Sequence, residues 1–343
     1  MSKRFSFLLI ACVFFSLLSQ AYAAEITDMT GRTVELPEQI FKVCPDGQSA
    51  VVIMHSLSLD MLTSWSFDLL EQEKIYIPSK YHDLPVTGLL SGQKVTGNLE
   101  KVMLLKPDII LSAVDLGNAG GHQKMIQDAD NLQRKTGIPV VIVTSEIRRA
   151  GEVFTFLGKI LHLEEKAGHL ASYCNRVISY ADEQRAKIDV PVTVYYAQGK
   201  RGLMTAPKGS SHGEIIELVG GRNVADFKGD IRNRTAVNLE QVLLWNPQVI
   251  LLADRLYSAF PKTDEPSQVL RDFSPLWERT EAMKNRRVYF VPCKPYNWLD
   301  MPPSVNRILG ILWLGKKLYP QFYRFDYESE IKDYFGLFYN YEL

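Results

Sequence analysis

A fourteen-residue cassette occurs twice in this chain and restricts its architecture more than any other feature. The first copy is Asn98-Leu99-Glu100-Lys101-Val102-Met103-Leu104-Leu105-Lys106-Pro107-Asp108-Ile109-Ile110-Leu111, and the second, 140 residues later, is Asn238-Leu239-Glu240-Gln241-Val242-Leu243-Leu244-Trp245-Asn246-Pro247-Gln248-Val249-Ile250-Leu251. Eight of the fourteen positions are identical. Asn is a good helix N-cap, the apolar residues that follow make one helical face, Pro forbids continuation, and an apolar strand comes next. Two copies predict two similar lobes, because a stacked solenoid needs at least three. The 343 residues leave room for two domains of about 100 to 200 residues each.

The rest of the chain alternates in the same way. Residues 26–36 alternate polar and apolar side chains around Thr30-Gly31, which reads as a hairpin. Short apolar runs at Val43, Ile75 to Ile77, Ile109 to Ser112 and Val140 to Val143 are separated by helical patterns, which predicts parallel βα units with covered sheet faces. From Glu164 to Lys187 there is no proline, and Leu170, Tyr173, Cys174, Val177, Ile178 and Ala181 recur at helical spacing. One long helix is predicted there. The alternation then resumes with a strand at 192–197, a helix from about Gly213 to Val219, the second cassette and a strand at 287–291, before a helical tail over 304–343. The fold class is therefore α/β: two Rossmann-like βαβ lobes with mainly parallel sheets, joined by one long helix, with a ligand cleft between them. The expected divisions are 24–162, a connecting helix at 163–189, and 190–343.

The first 23 residues read as a cleaved secretory signal: a basic Met1-Ser2-Lys3-Arg4, an apolar run over 5–18 and then Ala21-Tyr22-Ala23. Leu9-Ile10-Ala11-Cys12 offers a competing lipobox that would anchor the protein through Cys12. Removal of Lys3 and Arg4 leaves 37 basic against 39 acidic residues, a net charge of −2, which argues against nucleic acid as a partner. No later apolar run is long enough to span a membrane. Cys44, Cys174 and Cys293 survive cleavage, and their odd number leaves at least one thiol outside any intramolecular disulfide. Cys44 and Cys293 read either as strand-end residues facing a common cleft or as buried thiols.

Taken in order, the exported hairpin start, the two Asn-Leu-Glu cassettes, the long helix, the segment Gly202-Leu203-Met204-Thr205-Ala206-Pro207-Lys208-Gly209-Ser210-Ser211-His212 and the run Pro302-Pro303-Ser304-Val305-Asn306-Arg307-Ile308-Leu309-Gly310 resemble a class III (cluster A) periplasmic substrate-binding protein. The resemblance covers residues 24–343. It implies a non-enzymatic carrier with no cofactor of its own, a monomer in the periplasm that serves the permease dimer of an ABC importer in the inner membrane. The cargo it implies is a metal chelate, foremost an iron siderophore, or a metal oxyanion such as molybdate or tungstate. It also implies that Glu100 and Glu240 dock onto the permease. A helix that precedes a parallel strand runs antiparallel to it, so each glutamate lies at the strand edge that lines the cleft. Favourable placement in the first turn of a helix explains the same residues without docking.

Ligands of open α/β sheets lie beyond the carboxyl ends of the strands. Gly47 and Gln48 precede one helix there, and Ser210, Ser211 and His212 precede another, so two helix N-termini could face an anion. Capping explains the serines equally well. Arg232, Arg234 and Arg255 are candidates to pair with an oxyanion or carboxylate, with Asp226, Asp230 and Asp254 as alternative partners. Tyr81, Tyr257, Tyr296 and Trp298, with Asn297 between the last two, are candidate walls for a chelate, or else core residues. The six histidines show no paired spacing for a bare metal. An enzyme with a two-lobed cleft is the competing class. Two segments carry catalytic-loop spacings without their context. Gly310 to Lys316 spaces as Gly-x-x-x-x-Gly-Lys but has Lys317 where a phosphate loop needs Ser or Thr, and Gly209-Ser210-Ser211-His212-Gly213 spaces as Gly-x-Ser-x-Gly but follows Pro207-Lys208 and no apolar strand. The sequence lacks a cysteine set for an iron-sulfur cluster. An adhesin or sensor that reuses the fold is a third.

Overall fold

The computed structural model describes residues 24–92, 95–116, 119–199, 201–227, 234–253 and 265–343. The predicted leader with Cys12, and the candidates Arg232, Arg255 and Tyr257, lie outside them. The hairpin forms as β1 (Ala24–Thr27) and β2 (Thr33–Leu36). Its turn is held by the Asp28 carboxylate, which accepts from the Thr30 N–H at 2.9 Å and from Arg32 Nη1 at 3.0 Å.

The first lobe follows as β3 (Val43–Asp46), α1 (Gln48–Leu57), α2 (Glu71–Lys74), α3 (Leu99–Leu105), β4 (Ile109–Val114), α4 (Ala119–Thr136) and β5 (Val140–Thr144). Its three strands lie parallel in the order β3-β4-β5. After α5 (Ala150–Leu161), α6 (Glu164–Arg185) is the single long helix, and it buries the six residues whose spacing predicted it. The second lobe contains β6 (Thr193–Gln198), β7 (Met204–Thr205), α7 (Glu214–Leu218), β8 (Arg222–Asn223), β9 (Thr235–Ala236), α8 (Leu239–Trp245), β10 (Val249–Ala253), α9 (Pro266–Phe273), α10 (Glu281–Lys284) and β11 (Val288–Phe290). Its strand order is β11-β10-β6-β7-β9 with β8 beside the start of β6. β8, β6, β10 and β11 are parallel, and β7 and β9 are antiparallel additions. The tail is α11 (Arg307–Leu318) and α12 (Tyr327–Tyr339).

The two cassettes fold alike in detail. Asn98 Oδ1 accepts from the Lys101 N–H at 2.9 Å and Asn238 Oδ1 from the Gln241 N–H at 2.8 Å. Each helix ends on a left-handed residue, Lys106 at φ 47° and Asn246 at φ 43°, and each buries its central valine, Val102 or Val242. The next strands, β4 and β10, each lie between two parallel neighbours.

One expectation fails locally. Ile75 to Ile77 form no strand but turn out of α2, with Ile75 61% exposed. Glu73 folds back to accept from the Leu70 N–H at 2.9 Å and makes a helical turn, and Pro78 lacks the N–H that a strand would need there.

One hydrophobic core joins the lobes: α1, α5, α6, α11 and α12 pack together against the inner faces of both sheets. Smaller cores lie under α3 and α4 on the outer face of the first sheet and under α8, α9 and α10 on that of the second. The aromatic tail belongs to the shared core, with Tyr334 and Phe338 stacked at 4.1 Å between centroids. Cys44, Cys174 and Cys293 are buried and form no disulfide. Among the described residues no helix is long and apolar enough to cross a membrane.

Candidate functional site

The carboxyl edge of the first sheet is built around Asp46, the last residue of β3. Its carboxylate accepts from the backbone N–H of Leu90 at 2.8 Å and of Ser91 at 3.2 Å, and from the hydroxyls of Ser91 and Ser112. That network fixes the loop in front of α1. Gly47 turns the chain at φ +93°, a conformation that favours glycine, and its N–H donates to Ser66 Oγ at 3.1 Å. No side chain caps α1, so the N–H groups of its first turn, starting at Gln48, have no partner within the helix. Gln48 Nε2 lies 3.5 Å from Glu73 Oε1, which ties the same edge to α2.

The second lobe answers with a polar cluster behind β6. Gln198, its last residue, donates from Nε2 to Asp300 Oδ2 at 2.8 Å, and His212 Nδ1 donates to Asp300 Oδ1. Asn297 Oδ1 accepts from the N–H groups of Leu299 at 2.8 Å and Asp300 at 3.0 Å, which holds the carboxylate in place. Asp300, Gln198 and Asn297 are fully buried, whereas the His212 side chain keeps a quarter of its surface. An imidazole anchored through Nδ1 presents Nε2 as its free position, a lone pair when neutral and a donor when protonated. Asn297 Nδ2, a buried polar atom in this neighbourhood, meets no hydrogen-bond partner among the described residues. Burial pushes the Tyr196 phenol far up, while the charge of the exposed Arg234 acts on it in the opposite direction.

The serines of the predicted anion turn are used internally. Ser210 Oγ donates to the Pro207 carbonyl at 2.6 Å, and the Ser211 carbonyl accepts from Arg307 Nη1 at 2.9 Å. Arg307 is fully buried, and its guanidinium also donates to the Ser145 carbonyl just past β5 of the first lobe and to the Glu214 carboxylate. Burial raises the Glu214 carboxyl, and Arg307 opposes that. The turn that carries His212 is thereby tied to the other lobe.

The aromatic candidates are placed elsewhere. Tyr296 is 2% exposed; its hydroxyl lies 3.0 Å from His55 Nδ1 and its ring meets Tyr339. Trp298 is 5% exposed and donates from Nε1 to the Lys294 carbonyl at 2.9 Å. Both are buried because the loop after β11 folds inward under α11 and α12, and Trp298 also borders a hollow with Tyr76, Cys293 and Phe335. Tyr81 donates to Asp60 Oδ1 at 2.6 Å and borders a hollow of about 580 Å³ at the C-terminal end of α1. The ten residues of α1 put it about 15 Å from Gly47. The structure thus gathers Ser210, Ser211, His212 and Asn297 at one edge and Gly47 and Gln48 at the other, and it leaves Tyr81, Tyr296 and Trp298 out. Sequence reasoning passed over Asp300 and Arg307. A lone carboxylate in the apolar stretch 298–303 and a lone cation opening an apolar helix were the available signals, since such charges are buried only when paired.

Among the described residues no group of three or more His, Cys, Asp or Glu comes together to hold a metal ion. The sequence matches the periplasmic binding protein family over residues 66–295. It is 27% identical to the molybdate-binding protein MolA of Haemophilus influenzae, over 97% of this chain and 95% of that protein. An ABC transporter solute-binding protein from Sulfurospirillum deleyianum superposes with a TM-score of 0.79 at 27% identity, covering 93% of this chain and 96% of that one. The structure of MolA with bound molybdate superposes with a TM-score of 0.71 at 22% identity, covering 93% and 99%.

Proposed function

The chain belongs to the periplasmic binding protein family, of the class that serves ABC transporters, and on that premise we propose that it carries a small metal oxyanion, molybdate or tungstate, to an importer. The observation that carries this reading is the inward placement of Tyr296 and Trp298. With those rings in the core, the described cleft edges offer the backbone N–H of Gln48, the imidazole of His212 and the amide of Asn297. Such groups suit a compact anion through directed hydrogen bonds. The full-length likeness to a molybdate-binding protein supports the same choice. His212 is the ligand contact, Asp300 its positioning partner, and Arg234 the cation at the rim.

An iron siderophore is the second reading. A hollow of about 630 Å³ bordered by Tyr76, Cys293, Trp298 and Phe335 offers the apolar room that the organic part of a chelate needs. In either case the protein is a carrier and no catalyst, monomeric in the periplasm, and it meets the permease dimer through the exposed Glu100 and Glu240.

Calorimetric titration of the mature protein with molybdate, tungstate, ferric siderophores, haem, cobalamin and nickel-histidine separates the two. Heat and a raised Tm are expected with the oxyanions alone, and His212→Ala should weaken that binding by roughly tenfold or more, the scale of a lost charge-assisted hydrogen bond. Saturable binding of a ferric chelate without any of molybdate would reverse the assignment.

A further inference from the structure

The helices that carry Glu100 and Glu240 each expose a leucine one turn further on. Leu104 is 81% exposed and Leu244 80% exposed, and they occupy the same position of the two cassettes. Four residues separate each from its glutamate, so on a helix the two side chains share a face. Neither leucine is needed by the core, because Val102 and Val242, both fully buried, anchor α3 and α8 from the opposite side. Helix propensity does not account for them either, since Lys, Gln or Glu would serve almost as well in solvent. Singly scattered exposed leucines are ordinary. Here the repeat puts two at equivalent places, each beside an exposed carboxylate that makes no salt bridge among the described residues, and Met103, 41% exposed, widens the first patch.

We infer that Leu104 and Leu244 form the apolar half of a bipartite docking surface whose acidic half is Glu100 and Glu240. The partner it fits is a two-fold symmetric permease dimer, each half of which presents a basic side chain next to an apolar recess. The two lobes, alike through the cassette, would each meet one half. This rests on the docking role proposed above for the two glutamates. Carboxylates guide encounter and set its salt dependence, whereas leucines that lose their water on contact lower the rate of departure.

The test measures binding of the full-length mature protein to its importer in lipid nanodiscs without ATP, over a range of salt concentrations. Leu104→Gln with Leu244→Gln keeps helix propensity and should leave Tm unchanged. It is expected to weaken binding by roughly ten- to a hundredfold at every salt concentration, with the salt dependence of the parent protein. Glu100→Gln with Glu240→Gln is expected to weaken binding and flatten that dependence. If the leucine pair binds as tightly as the parent while the glutamate pair is impaired, the inference falls and the docking role stands. Parent-like binding by both overturns the two together.

Discussion

Glu217 is a half-buried acid standing well outside its ordinary range. Its Oε1 accepts from the Asn223 N–H at 3.1 Å, its Oε2 meets no partner among the described residues, and burial pushes the carboxyl up to about 7. A carboxyl raised on folding binds more protons in the folded state, so its contribution is fully present below the unfolded value near 4.5 and is lost as pH rises through about 7. Glu217→Gln keeps the acceptor for Asn223. It is expected to raise stability at pH 8 by on the order of 2 kcal/mol and to change little at pH 5, read from denaturation at both pH values. An equal gain at both would rule out titration as the cause. His55 works in the opposite direction: burial holds its imidazole down at about 3, so its contribution is present above 6.5 and is lost as pH falls toward 3. Neither perturbation was readable in the sequence, where Glu217 is one of two acids in Glu214-Ile215-Ile216-Glu217 and His55 a polar residue in an apolar helix.

At the scale of elements, the packing of α11 is set by a glycine. A Cβ on Gly310 would lie 1.8 Å from the Trp298 carbonyl oxygen, so α11 rests directly on the backbone of the loop that holds Asn297 and Asp300. Gly310→Ala is therefore expected to cost roughly 3 kcal/mol or more through displaced backbone, and to weaken ligand binding because the Asp300–His212 pair moves with the loop. A melting curve and a titration check both, and normal values in each would show that the loop yields freely. The helices and strands of the cassettes were legible because their determinants are consecutive: an Asn cap, an apolar face, a Pro stop and an apolar run. The same holds for α6, whose buried residues follow the predicted spacing. Ile75 to Ile77 misled because three apolar residues carry no period, and a neighbouring cap and proline decided their shape.

The whole molecule is held at a second place besides its shared core, through Arg307. Its guanidinium reaches Ser145 of the first lobe, 162 positions away in the chain, and Glu214 and Ser211 of the second. Arg307→Met would leave Glu214, whose side chain is 24% exposed, without its counter-charge and is expected to destabilise the protein by about 1–3 kcal/mol. Adding Glu214→Leu should recover most of that loss, because the cost lies in the unpaired charge. Denaturation of both variants measures it, and a double variant no better than the single one would place the cost elsewhere. With lobes joined by α6, a common core and this bridge, small rocking rather than wide closure is the motion expected on ligand binding.

The sequence by itself determined the two-lobed α/β architecture, the long helix between the lobes and the family, because these rest on periodicity and on order along the chain. It also points to the carboxyl edges of the strands as the proposed ligand edge, since parallel strands open their loops on one side. Only the tertiary structure decided which side chains stand at that edge. His212 meets Asp300 across 88 positions, and Tyr296 and Trp298 turn inward. A helical period is written in neighbouring residues, but the direction of a loop side chain depends on what distant segments pack against it, and no local pattern records that.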